Sequence, residues 1–274
     1  MHAERFWLKS STGEKLPTIL MAHGWGGTAR ALRRDAVVFA KAGYFVTTFD
    51  YRGWGGSDSR VILTGSAPKD KVGAKYTAEV REVREVVDPA DQGVDWLNAL
   101  HWLQGEEQCD VERIGIWGSS FSGGHVVWVA ARDSRVKALV SQVGSMDSRW
   151  VLSTNELKKQ TYSESTRRAR GELGYPDAMA NEVGDLRGAP IREKFIWHTP
   201  VEDAKKIDHV AKLFIIAENE ELFDNNDHAI KVHAIAGGVK KLVVVPKIKH
   251  YGVYREERER VQRLAVEWFD AHLK

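Results

Sequence analysis

The sequence predicts an α/β fold, a mostly parallel sheet with helices on both faces. Three observations predict it. Short apolar runs alternate with longer helical patterns. The runs lack apolar–polar alternation, as strands buried on both faces do. Loops rich in glycine sit where such runs end.

The strand candidates are residues 18–22, 44–49, 113–117, 136–140, 213–217 and 242–245, all dominated by Ile, Val, Leu and Phe. Residues 6–9 are expected to add an antiparallel edge strand. Helices are expected over 32–42, 90–103, 120–132 and 255–273. The second presents Val94, Leu97, Leu100 and Leu103 at steps of three, with Asp88 as N-cap ahead of Pro89. The last presents Val261, Leu264, Ala265, Trp268 and Phe269 on one stripe. Two stretches break the rhythm: residues 57–87, long and polar, and residues 145–200, charged and partly helical. The expected organisation is a core of residues 1–144 and 201–274 with a small helical lid inserted at 145–200.

Composition narrows the function. The 274 residues suit one domain, and 43% hydrophobic with 28% charged residues is globular. Forty basic against 38 acidic residues leave no dominant basic stripe, so nucleic acid is not an expected partner. No apolar run is long enough to span a membrane, and the first residues show no signal-peptide core, so a cytoplasmic protein is expected. The single cysteine, Cys109, permits neither an internal disulfide nor a zinc cluster. Histidine and carboxylate spacing matches no metal motif either. Ten tryptophans point to core and interface packing, with an aromatic-lined pocket as the alternative.

The chemistry concentrates after the third buried run. Residues Gly118-Ser119-Ser120-Phe121-Ser122-Gly123-Gly124 approximate G-x-S-x-G, with Ser122 in place of the second glycine. A serine on a sharp strand-to-helix turn needs small residues two positions away, because the backbones come close there. Ser119 and Ser122 compete with Ser120, but neither follows a glycine by two residues. The N–H of Phe121, at the helix start, would face an oxyanion forming at Ser120. The first buried run ends in His23-Gly24-Trp25-Gly26-Gly27, whose Trp25 N–H is the second oxyanion donor expected. Asp50 and Arg52 are expected to brace neighbouring loops.

A nucleophilic serine needs a base, and the base an orienting acid. Only His250, among ten histidines, lies after the last strand and before the last helix. The acid is expected after the strand at 213–217, where Glu220, Glu221, Asp224 and Asp227 compete. Glu220 is favoured for its position three residues past the strand. Asp224, the alternative, could instead cap a helix over 225–236. His198, His209, His228 and His233 are expected in surface or packing roles.

These segments, with Asp50-Tyr51-Arg52-Gly53-Trp54-Gly55, Asp88-Pro89-Ala90-Asp91-Gln92 and Lys249-His250, resemble the α/β-hydrolase superfamily over nearly the whole chain. Within it, the likeness is to small bacterial esterases and acyl hydrolases and to the polyketide-transferase-like group. The stretch from Asp95-Trp96-Leu97 through Ser120 is also similar to X-prolyl dipeptidyl peptidases. The resemblance implies hydrolysis of a small-molecule acyl substrate through an acyl-serine, with no cofactor. It fits Ser120 and His250 as nucleophile and base, with Glu220 as the acid where Asp is more usual in the family, and Trp25 and Phe121 as oxyanion donors. A carboxylic ester is the expected substrate. A peptidase, thioesterase or acyltransferase remains open, as do a non-catalytic ligand-binding homologue and a homodimer.

Overall fold

The computed structural model describes residues 1–274 apart from 12, 67–68, 70–72, 74 and 179–185. Eleven strands are described: β1 Ala3–Phe6, β2 Leu16–Ala22, β3 Phe45–Phe49, β4 Arg60–Leu63, β5 Val80–Val83, β6 Val86–Val87, β7 Cys109–Ser119, β8 Val136–Gln142, β9 Ala189–Pro190, β10 Ala211–Ala217 and β11 Lys240–Val245. The helices are α1 Arg33–Lys41, α2 Pro89–Gln104, α3 Phe121–Ala130, α4 Asn155–Ala169, α5 Arg192–Phe195, α6 Ala229–Ile235 and α7 Arg258–Leu273.

Seven strands form one sheet in the order β1-β3-β2-β7-β8-β10-β11, parallel except for β1. Every residue of β2, β3 and β10 is buried, which is why these strands read as unbroken apolar runs. One face packs against Phe39 of α1 and Val261, Ala265, Phe269 and Leu273 of α7. The other packs against Trp96, Leu100 and Leu103 of α2 and Val126 and Val127 of α3. This is the α/β-hydrolase architecture.

Register aligns the carboxyl ends of the central strands. Ala22 lies opposite Gly118, Ser119 opposite Gln142 and Ala217 opposite Val245. The loops after β2, β7, β10 and β11 therefore leave the sheet at one edge, where open α/β sheets place their sites.

The structure corrects several sequence expectations. The edge strand is Ala3–Phe6, not 6–9, and it pairs antiparallel with β3. Val94 is 44% exposed, because α2 buries Trp96, Ala99, Leu100 and Leu103 instead. Aromatic bulk at Trp96 pulls that helix face to the core. The polar 57–87 stretch holds an antiparallel hairpin, β4 with β5. Asp88 does cap α2, its Oδ1 accepting from Ala90 and Asp91 N–H.

Candidate active site

Ser120 sits between β7 and α3 with φ 58° and ψ −124°, a conformation that L-residues avoid. Hydrogen bonds hold it there: its N–H donates to Gln142 O at 2.8 Å, and its carbonyl accepts from Gly123 and Ser145 N–H. Gly118 is required by the turn, since a Cβ there would lie 2.2 Å from Ser122 O. At the opposite position Ser122 fits in place of glycine. Its hydroxyl meets Tyr51 OH at 3.1 Å, and Tyr51 OH accepts from Trp96 Nε1. Ser119 is equally engaged, at 2.6 Å from Tyr254 OH and 3.2 Å from Gln142 Nε2. Both competing serines are thus buried in structural bonds, while Ser120 opens into a cavity of about 340 Å³.

The three separated groups meet. His250 Nε2 lies 3.0 Å from Ser120 Oγ, and His250 Nδ1 lies 2.9 Å from both Glu220 carboxylate oxygens. Nδ1–H donates to the carboxylate, which leaves the Nε2 lone pair toward the serine hydroxyl. The His250 and Glu220 side chains are each 1% exposed. The approach is local: β10 ends at Ala217, β11 at Val245, and Asn219 N–H bonds Ile248 O to join the two loops.

Sequence reasoning missed the rest of this clasp. Glu221 Oε2 accepts the backbone N–H of His250 at 2.8 Å, and Glu218 Oε2 accepts that of Lys247 at 2.7 Å. Consecutive glutamates thus hold the ring and the backbone of one histidine. The signal was present as three glutamates within four residues, but nothing in the spacing said which would turn toward His250. Asp224 is elsewhere. It is exposed, and its Oδ1 accepts from Asn226 N–H. Nor does it cap the expected helix, because α6 begins only at Ala229 with His228 at its N-cap.

The glycine-rich loop after β2 packs on the turn. A Cβ on Gly24 would stand 2.9 Å from Ser120 Cβ and 3.4 Å from Phe121 N. The loop therefore packs beside the first turn of α3, whose Phe121 N–H has no intrahelical acceptor. The Trp25 and Phe121 rings meet edge to face at 5.6 Å, with Phe195 of α5 packed on both. Asp50 braces this loop by accepting from Ala29 and Gly56 N–H. Arg52 is clamped by Asp95 and Asp91.

The cavity is lined by Trp25, Phe121, Trp150, Leu186, Leu222 and Phe223, with Ser145, Asp147 and His228 as polar exceptions. Four of these, Ser145, Asp147, Trp150 and Leu186, come from the 145–200 segment. Among the described residues no group of His, Cys, Asp and Glu could hold a metal ion, and no helix is long and apolar enough to cross a membrane.

A chain of neutral polar groups underlies the elbow. Gln92 Oε1 faces His125 Nε2 at 3.0 Å, His125 Nδ1 faces His198 Nε2 at 2.8 Å, and His198 Nδ1 faces Ser148 Oγ at 2.7 Å. The Gln92 acceptor fixes every proton along it. Because Ser148 and His198 are buried in this chain, they serve packing, as expected for His198. Burial depresses His198 to about 3, His23 to about 4, and His125 well below its usual value. The folded state thus binds fewer protons than the unfolded state below pH 6.5, so stability falls with falling pH. Each imidazole contributes about 1.4 kcal/mol per pH unit in that range. Urea unfolding is expected to show a steep loss of stability between pH 6.5 and 5. A flat profile would contradict the assignment of neutral buried imidazoles.

Comparison with known proteins agrees with this architecture. A 31.7 kDa uncharacterized protein of Escherichia coli from the traX-finO intergenic region is 28% identical over 94% of this chain and 92% of its own length. The quorum-quenching protein AidA of Acinetobacter baumannii is 34% identical over 49% of this chain and 37% of its own. Among solved structures, DcsB in complex with a substrate analogue superposes with a TM-score of 0.76, at 18% identity and 99% coverage of both chains. At that identity the likeness shows the fold alone. Residues 5–161, more than half of the chain, match the family described as X-Pro dipeptidyl-peptidase (S15 family). This chain therefore belongs to the X-Pro dipeptidyl-peptidase (S15) family, and so to the hydrolases built on the α/β-hydrolase fold.

Proposed function

We propose that this protein hydrolyses a carboxylic ester through an acyl-serine intermediate. The observation that carries the reading is the unbroken line from Ser120 Oγ through His250 to Glu220 at 3.0 and 2.9 Å, opening on a mostly apolar cavity. His250 Nε2 takes the Ser120 proton as Oγ attacks the substrate carbonyl carbon. Glu220 stabilises the resulting imidazolium and holds its tautomer. The N–H groups of Trp25 and Phe121 receive the oxyanion, and one such donor is worth roughly 2.7–4 kcal/mol of barrier in comparable sites. The imidazolium then gives its proton to the departing alcohol. Water attacks the acyl-serine with His250 again as base, and Ser120 is regenerated with release of the acid. The 145–200 segment acts as a cap that shapes the acyl pocket, a role supported by its four cavity residues.

A fluorophosphonate probe tests the reading. Wild type is expected to be labelled at Ser120 and the Ser120→Ala variant not at all. Absence of label from wild type would favour a non-catalytic binder. Family membership also favours asking about amides. A series of p-nitrophenyl esters of rising chain length, with one X-Pro p-nitroanilide and one thioester, is expected to show faster turnover of the esters. Preference for the anilide would move the assignment to a peptidase.

A further inference from the structure

The acyl cavity contains a second imidazole whose tautomer the backbone fixes. His228 Nδ1 accepts the N–H of Met146 at 2.7 Å and lies 3.3 Å from that of Asp147. A ring nitrogen that receives backbone donors carries no proton, so the ring proton is on Nε2. Burial lowers the pKa of His228 against the pull of Asp147 and its acidic neighbours, which keeps the ring neutral. Asp147, in turn, is occupied. Burial works to raise its pKa, but the hydrogen bonds and charge of Arg149 outweigh that and hold it ionised. His228 lines the same cavity as Ser120. Phe223 lies against both imidazoles, with centroids 4.4 Å from His228 and 5.8 Å from His250. Phe223 thus neighbours both this N–H donor and the base proposed to activate Ser120.

Much of the surrounding wall is aromatic or aliphatic. A fixed donor in such a wall discriminates by whether the ligand offers an oxygen to meet it. We propose that His228 is a specificity residue whose Nε2–H recognises an oxygen on the acyl chain, which makes oxo- or hydroxyacyl esters the preferred substrate class. The inference rests on the acyl-serine reading and deepens it. Sequence reasoning placed His228 among surface or packing histidines, because the backbone donors on Nδ1 lie more than 80 residues away.

The test compares matched methyl esters, 4-oxopentanoate with pentanoate and 5-oxohexanoate with hexanoate, by titrating the released acid at constant pH. Wild type is expected to favour at least one oxo ester by about tenfold in kcat/KM, the size of one net hydrogen bond. His228→Asn leaves an oxygen near the Nδ1 position to accept from Met146 but no donor near Nε2. It is expected to erase the preference, so that the ratio of kcat/KM for the oxo ester to that for its plain partner falls by about tenfold. His228→Gln, which places an amide nitrogen near the Nε2 position, is expected to retain part of the preference. Equal loss on both esters in His228→Asn would overturn the proposal. So would a wild type that hydrolyses the plain esters without preference, and this outcome reads directly even if a variant fails to fold. A wild type that neither hydrolyses any ester nor reacts with fluorophosphonate would instead overturn the reading beneath it.

Discussion

Alanine at Ser120, at His250 or at both is expected to lower kcat for an ester by about 10⁴- to 10⁶-fold, with the double variant no slower than either single. The reason is geometric. The Ser120 hydroxyl is a weak nucleophile until His250 Nε2, 3.0 Å away, accepts its proton. Removing either partner removes the same step, so the second loss adds nothing. Residual turnover should persist, because the proposed oxyanion donors, the N–H groups of Trp25 and Phe121, remain in place to meet an oxyanion formed by water attack. KM should change little, since neither truncation alters the apolar wall of Trp150, Leu222 and Phe223. Steady-state kinetics on the three variants checks this. Multiplicative losses would mean that Ser120 and His250 do not act as one unit.

The second large effect concerns the acid. Glu220→Gln is expected to reduce kcat by about 10⁴-fold with the fold intact. An amide in place of the carboxylate can donate to His250 Nδ1 and stabilise the wrong tautomer, with the proton on Nε2. It also withdraws the negative charge that the imidazolium needs in a pocket where both side chains are 1% exposed. Asp224→Asn should leave kcat within about twofold, because among the described residues the Asp224 carboxylate accepts hydrogen bonds only from Asn226, within its own exposed turn. A large loss at Asp224 with none at Glu220 would reverse the assignment of the acid.

Much of this site was legible in the chain. Ser120 could be read because its requirements are local: a buried strand before it, a helix after it and small residues two positions away. His250 could be read from chain order alone. The gap between β11 and α7 leaves one histidine where the fold needs its base. The strands β2, β3, β8 and β10 and the second half of β7 showed themselves as apolar runs because two-sided burial removes the alternation that would otherwise disguise them. Their ends moved by a few residues, since pairing extends a strand into positions that composition does not mark.

The acid was another matter. Glu220, Glu221 and Asp224 are chemically alike and lie within five residues, so composition and spacing rank them only by proximity to the strand end. Which carboxylate meets the imidazole depends on how the loop after β10 folds over the loop after β11. Ser122 was tolerable by size in the sequence, but its partner Tyr51 lies 71 residues away. Likewise Tyr254 reaches Ser119 across 135 residues. The sequence by itself determined the layered fold and pointed to Ser120 and His250 as the proposed nucleophile and base, because each reading follows from local backbone sterics or from chain order. Only the tertiary structure decided which carboxylate meets His250, the clasp on its backbone and the wall of the cavity. Those rest on contacts between loops, and a loop's path is set by what it packs against rather than by its own residues.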